Sequence, residues 1–254
     1  MPERSSRRIT HDNFNDASTF EVALERAKRG WPENTARLRD LAASLTDDVM
    51  QRVPVTEFKR SEEDGVGVDV DSYLLGEPDC LLRPHKVTPP GCESVRIVLN
   101  ACVAWNVPPA ILQAKGAAVV ALASALEKAG RRVEIVVAAG IDAKFTSGHF
   151  ETYFPAKRED EPLQLDQLAF TVASADVFRR MVFASWETLP AEVRRDFGIF
   201  PNGGYGSVSE LRQHGSANIL VGSGEGVAWT NAEAARKWVL QQLQQEGVQL
   251  SAAA

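Results

Sequence analysis

The residues of this chain that could do chemistry gather first at one turn. The nearly apolar run Val95-Arg96-Ile97-Val98-Leu99 ends in Asn100-Ala101-Cys102-Val103-Ala104. An amide, a thiol and a methyl at alternate positions offer a hard divalent cation no carboxylate or hydroxyl oxygen. Cys102 could act as a reactive thiol, but at the end of an apolar strand it reads first as an inert core group. Asp142 is the acid best placed for a crevice at the carboxyl ends of parallel strands; alone, it serves equally as a turn cap. The loop Gly222-Ser223-Gly224-Glu225-Gly226 lies where phosphate-cradling loops lie. Its spacing is not Gly-x-Gly-x-x-Gly, and Glu225 would repel a phosphate.

Other chemistries lack a team of residues. The sequence contains no Gly-Lys-Ser/Thr and no Gly-x-Ser-x-Gly. The four histidines, His11, His85, His149 and His214, are scattered. Cys80, His85 and Cys92 could converge on zinc, but no Cys-x-x-Cys pair supports the site. The expectation is a non-enzymatic protein without metal or cofactor.

A more consistent pattern is the interleaving of bases with aromatics: Lys28-Arg29-Gly30-Trp31, Phe58-Lys59-Arg60, Tyr153 to Arg158, and Arg236-Lys237-Trp238. Single-strand nucleic-acid binders combine bases that follow phosphates with rings on which bases stack, each stack worth about 1–3 kcal/mol. On this reading the contributors are Lys28, Arg29, Trp31, Phe58, Lys59, Arg60, Arg83 and Lys86. The competing reading is that Trp31 and Trp238 anchor helices to the core.

Charge alone does not decide the matter. The 254 residues carry a net charge of −6. Residues 61–80 hold seven acids and no Lys or Arg, and removing them leaves 28 bases against 27 acids. A local basic groove is compatible with an acidic average, since only charges within about a Debye length of a ligand matter much. With 44% apolar residues the chain can build a sizeable core. No run is read as a membrane span of about 20 residues. Three cysteines form no paired framework, so reduced thiols in a cytoplasm are expected.

Periodicity gives the elements that position these residues. Residues 1–16 are expected to be loosely attached. Ser18 and Glu21 fit a capping box for a helix stopped by Gly30, and a second helix runs from about Glu33 to Met50. This hairpin is expected as an N-terminal helical extension, 1–60, followed by an α/β domain, 61–254. Strand 95–102, a helix opened by Pro108-Pro109 and closed by Gly130, and strand 132–139 form a βαβ unit whose crossover should be right-handed. Downstream, 146–153 reads as edge strand or loop, 163–171 as a strand, 174–186 as a helix, 218–221 as a short strand and 231–245 as a helix.

The strand-turn-helix-strand of Val95–Val137 resembles a von Willebrand A-type (VWA) domain, whose first strand ends in Asp-x-Ser-x-Ser around a metal. Asn100, Cys102 and Ala104 stand at those positions, so the resemblance implies a metal-free, Rossmann-like sheet flanked by helices. Phe20–Pro32, Val68–Cys80 and Val95–Val137 together resemble a family of bacteriophage proteins, and further the single-stranded-DNA-binding RNA polymerase cofactors of podoviruses that carry a virion RNA polymerase. That resemblance implies a homo-oligomeric transcription cofactor in the cytoplasm of an infected bacterium, with single-stranded DNA and a phage RNA polymerase as partners and no membrane. The alternative is a metal-free VWA-like module that binds protein within a larger assembly.

Overall fold

Capping and apolar spacing fold the N-terminal region into two helices. The structure, a computed structural model, describes residues 16–52, 58–84, 94–104, 106–143, 147–200, 209–212, 217–223 and 229–248. Helix α1 (Phe20–Arg29) is capped by Thr19, whose hydroxyl accepts from Val22 N at 3.3 Å, one residue later than the expected capping box. It ends at Gly30, whose φ of +87° is open to glycine. A Cβ there would also collide with the main-chain oxygen of Asp166. Helix α2 (Pro32–Arg52) then begins with proline at its first position, and Leu38, Ala42 and Leu45 are buried along one stripe.

A small antiparallel unit follows: β1 (Phe58–Ser61), β2 (Gly67–Val68), the short helix α3 (Val70–Leu74) and β3 (Leu81–Pro84). Its sheet order is β1-β3-β2. No described residue of 58–84 belongs to a buried hydrophobic cluster of the chain.

The main sheet has the order β6-β5-β4-β7. Strand β4 (Ser94–Asn100) runs parallel to β5 (Arg132–Asp142), with Val95 opposite Val133 and Asn100 opposite Ala138. Between them runs α4 (Pro109–Lys128). Strand β6 (His149–Lys157) returns antiparallel to β5, with a register shift at Ile135/Val136, so the expected edge strand is longer and later than 146–153. At the other side β7 (Ile219–Val221) pairs parallel with β4. Helix α8 (Ala232–Gln245) closes the described chain, capped by the Asn231 side chain. The sheet and its helices make the chain an α/β protein, as the sequence predicts.

Helix α4 is apolar on nearly every face because it is covered on nearly every face. It lies on the sheet and packs against α2, α8 and α5 (Leu165–Ala173). Gly116 permits the closest approach: a Cβ there would lie 2.9 Å from both Ala173 Cβ and Val172 O. By length and hydropathy α4 matches a membrane span, but 72% of that window is buried inside the protein, as in a core helix. Ala23, Trp31, Leu38, Ala42 and Leu45 share one core cluster with α4, α5 and α8, so the helical pair is packed into the α/β core.

The segment 163–171, expected as a strand, is instead helix α5. Leu165, Leu168, Ala169 and Val172 repeat at helical spacing, and the last three are buried. The expected helix 174–186 is a π-helical stretch, Val177–Val182, continued by α6 (Phe183–Trp186) and followed by α7 (Ala191–Asp196). Its burial departs from a simple stripe. Arg179 and Arg180, adjacent bases whose type alone suits a solvated surface, are 3% and 1% exposed. Arg180 Nε donates to Asp176 at 2.9 Å and Nη2 to Ala17 O at 3.0 Å, while Arg179 reaches Ala104 O at 2.7 Å. These cations tie the chain start and the Cys102 turn to the core.

Candidate functional site

The carboxyl edge of the parallel strands is where this fold presents a ligand crevice. Here the chain's own side chains occupy it. Asn100 is fully buried; its Nδ2 donates to Ser209 O at 3.0 Å and its Oδ1 accepts from Cys102 N at 3.0 Å. From α4, Lys115 reaches back and donates to Asn100 O at 2.6 Å, with only 3% of the residue exposed. Burial pushes the Lys115 amine down from its ordinary 10.5 to about 7, against the opposing pull of Cys102 and Glu210. Cys102 Sγ lies 3.4 Å from both N and O of Gly140, and burial pushes its thiol up from its ordinary range. That is the environment of an unreactive thiol. Among the described residues no group of three His, Cys, Asp or Glu could hold a metal.

Next to it, Asp142 ends β5 in a polar staple. Oδ1 of Asp142 meets His149 Nδ1 at 2.8 Å and Arg212 Nη2 at 2.6 Å, and Oδ2 accepts from Ser209 Oγ at 3.1 Å. His149 Nε2 faces Glu151 at 2.7 Å, and Glu151 also accepts from Tyr153 OH and Arg212 N. The His149 hydrogen bond, chiefly, holds the Asp142 carboxyl below its usual range, with help from Ser209 and Arg212. This network straps segment 209–212 to the sheet edge, where Leu211 covers Val98, Val136 and Ala138. Asp142 is therefore engaged in holding the chain together.

Of the eight basic and aromatic contributors named from the sequence, three lie at the end of α1 and four on the small antiparallel unit. Lys28 and Arg29 lie in the last turn of α1, where cations suit the helix carbonyl end. Arg29 pairs with Glu25 at 3.2 Å. The open groove beside them, about 430 Å³, is lined by Glu21, Glu25 and Glu33 against Arg26 and Arg29, which is no basic path. Trp31 is corrected as a stacking platform: it is 8% exposed, set edge-on to Phe170 at 6.5 Å with Arg26 at 4.6 Å over its ring. The competing reading, a helix anchor, describes it. Trp238 is half-buried and packs edge-on against Trp229 at 5.1 Å.

The remainder sit on the small antiparallel unit. Lys59 lies directly opposite Arg83 across β1 and β3, and Phe58 opposite Pro84. Arg60 pairs with Asp69 at 3.2 Å and Glu77 at 2.7 Å, and Arg83 with Asp64 at 3.5 Å. Lys86, like His85, Cys92 and residues 224–228 of the glycine loop, lies outside the described residues.

A different feature of this unit went unread in the sequence. Val66, Val68, Val70, Tyr73, Leu74 and Leu75 are 76%, 46%, 61%, 64%, 75% and 76% exposed. Only three other large apolar residues, Val22, Phe200 and Leu220, are comparably exposed among the described residues. The signal is present in the sequence as Val66, Val68 and Val70 alternating with Gly67, Asp69 and Asp71, followed by Tyr73-Leu74-Leu75.

A family model for a domain of unknown function, DUF7192, matches residues 2–249. The chain belongs to the DUF7192 family. No curated protein and no solved structure matches it. The match spans the helical pair, the acidic antiparallel unit and the main sheet.

Proposed function

We propose that this DUF7192 chain is a non-enzymatic, metal-independent, VWA-like module that docks a protein partner through residues 66–75. The observation that carries the reading is the concentration of exposed apolar side chains there. Single exposed apolar residues are ordinary, whereas a contiguous group of large ones marks an interaction surface. Two features of the main sheet support it. The strand-helix-strand on which the VWA resemblance rests is present as β4, α4 and β5. The turn that holds a cation in that resemblance is filled by Asn100, Cys102 and the Lys115 amine. Site-specific photocross-linking from position 74, in cells that encode the chain, tests the proposal. A discrete protein adduct is the expected outcome.

A second reading, a single-stranded-DNA-binding cofactor of a phage RNA polymerase, draws support from one observation. Like charges directly opposite on antiparallel strands destabilise a sheet, and Lys59 faces Arg83 in that way. An anionic ligand would relieve that repulsion. Against it, residues 58–84 carry three bases and seven acids. An electrophoretic shift with single-stranded oligonucleotides at low salt tests this reading: binding lost in Lys59→Ala/Arg83→Ala supports it.

A further inference from the structure

We infer that the partner of the 66–75 face presents an amphipathic helix whose apolar stripe is flanked by lysine and arginine. The inference rests on the docking reading above and names the chemistry of its partner.

The face itself has a defined shape. Val70, Tyr73 and Leu74 stand at i, i+3 and i+4 on α3, so they share one side of its turn, while Ser72 is buried. Val66 and Val68, just before and at the end of β2, and Leu75, just after the helix, are exposed as well. Strand addition has little to work with on this side, because the edge strand β2 has two residues. A helix laid on the surface, matching apolar side chains at i, i+3 and i+4, makes fuller use of it.

Charge then selects the partner. Asp64, Asp69 and Glu77 are engaged by Arg83 and Arg60. Glu62, Glu63, Asp71 and Asp79 have no ion pair among the described residues, and all lie within the same short segment as the apolar face. Residues 58–84 therefore carry a net −4, most of the chain's −6. A second copy of this chain would bring the same acids into opposition, and a phosphate-rich strand or anionic bilayer would be repelled. A basic-flanked helix meets both the apolar surface and its acidic surround.

The test is fluorescence anisotropy with the full chain and three labelled probes. One is a synthetic peptide of about five helical turns with a leucine stripe and lysine flanks; the second replaces its lysines with glutamates; the third is a single-stranded oligonucleotide. The lysine peptide should bind, weaken as salt rises, and lose about tenfold or more in affinity with Leu74→Asp/Leu75→Asp, as central apolar anchors do. Glu62→Gln/Glu63→Gln/Asp71→Asn should weaken it less and flatten its salt dependence. Circular dichroism and melting temperature confirm that each variant is folded. Equal binding of the two peptides, no binding of either, or affinity unchanged in both variants would overturn the inference. If position 74 still cross-links to a protein in cells, the docking reading survives that result. If only the oligonucleotide binds and no protein cross-links, both fall.

Discussion

The Nζ of Lys115 lies 2.6 Å from the main-chain oxygen of Asn100, deep at the carboxyl edge of the parallel strands. A helix residue thereby supplies an amine donor to the turn that the sequence reads as lacking metal ligands. That contact is a tie between α4 and β4 within the chain, and it leaves the working surface to be sought elsewhere.

The buried amine makes a pH prediction. Lys115 titrates near 7 in the folded protein and near its ordinary 10.5 when unfolded. Between these values the unfolded chain binds the extra proton, so stability rises with pH across the window, by up to about 1.4 kcal/mol per unit. Below about pH 7 both states are protonated and this slope vanishes. Urea unfolding of the wild type and Lys115→Met at pH 7 and 9 should show the wild type gaining on the variant as pH rises. Parallel pH profiles would contradict the burial of an ionisable amine.

Gly116 gives a packing prediction. An alanine in mid-helix ordinarily gains about 1 kcal/mol over glycine. At this position the added Cβ meets Ala173 Cβ and Val172 O at 2.9 Å, and α4 cannot shift without disturbing α2, α5 and α8. Gly116→Ala is expected to destabilise by about 1–3 kcal/mol, the ordinary cost of overpacking. Thermal denaturation reads this directly, and a raised melting temperature would show that the helices part easily.

Much of the fold was legible before the structure. Unbroken apolar runs at β4 and β5, prolines at the start of α4 and Gly130 at its end are strong local signals that tertiary packing agreed with. Segment 163–171 was misread because Leu163 and Leu165 alternate with Gln164 and Asp166 as in a strand, and only the helical layer over α4 decides. Arg179 and Arg180 looked like surface charge, since no local pattern reveals that Asp176 and main-chain oxygens wait for them in the core. Trp31 shows the same limit: a ring beside bases reads as a stacking face until its packing on Phe170 is seen.

The cysteines separate by environment. Cys102 is fully buried with its thiol pushed up, whereas Cys80 is part-exposed. A thiol-reactive chromophore should modify Cys80 far faster than Cys102 in the native protein, with mass spectrometry assigning each adduct. Rapid labelling of Cys102 would mean that the Asn100 turn opens, and would reinstate it as a candidate nucleophile.

Trp31 offers a discrimination between anchoring and stacking. Trp31→Ala should cost about 3–5 kcal/mol in stability, as loss of a buried tryptophan does. Native Trp31→Phe, checked by its melting curve, should leave any oligonucleotide affinity as it was. A loss of affinity in a stably folded Trp31→Phe would return this ring to a nucleic-acid interface.

The most direct measurement is photocross-linking in cells that encode the chain, with the photoreactive residue at position 74 and, as control, at exposed Leu220 on β7. The docking account predicts one discrete, nuclease-resistant protein adduct from position 74 and none from position 220. No adduct at 74, the same adducts from both positions, or an adduct removed by nuclease would contradict it.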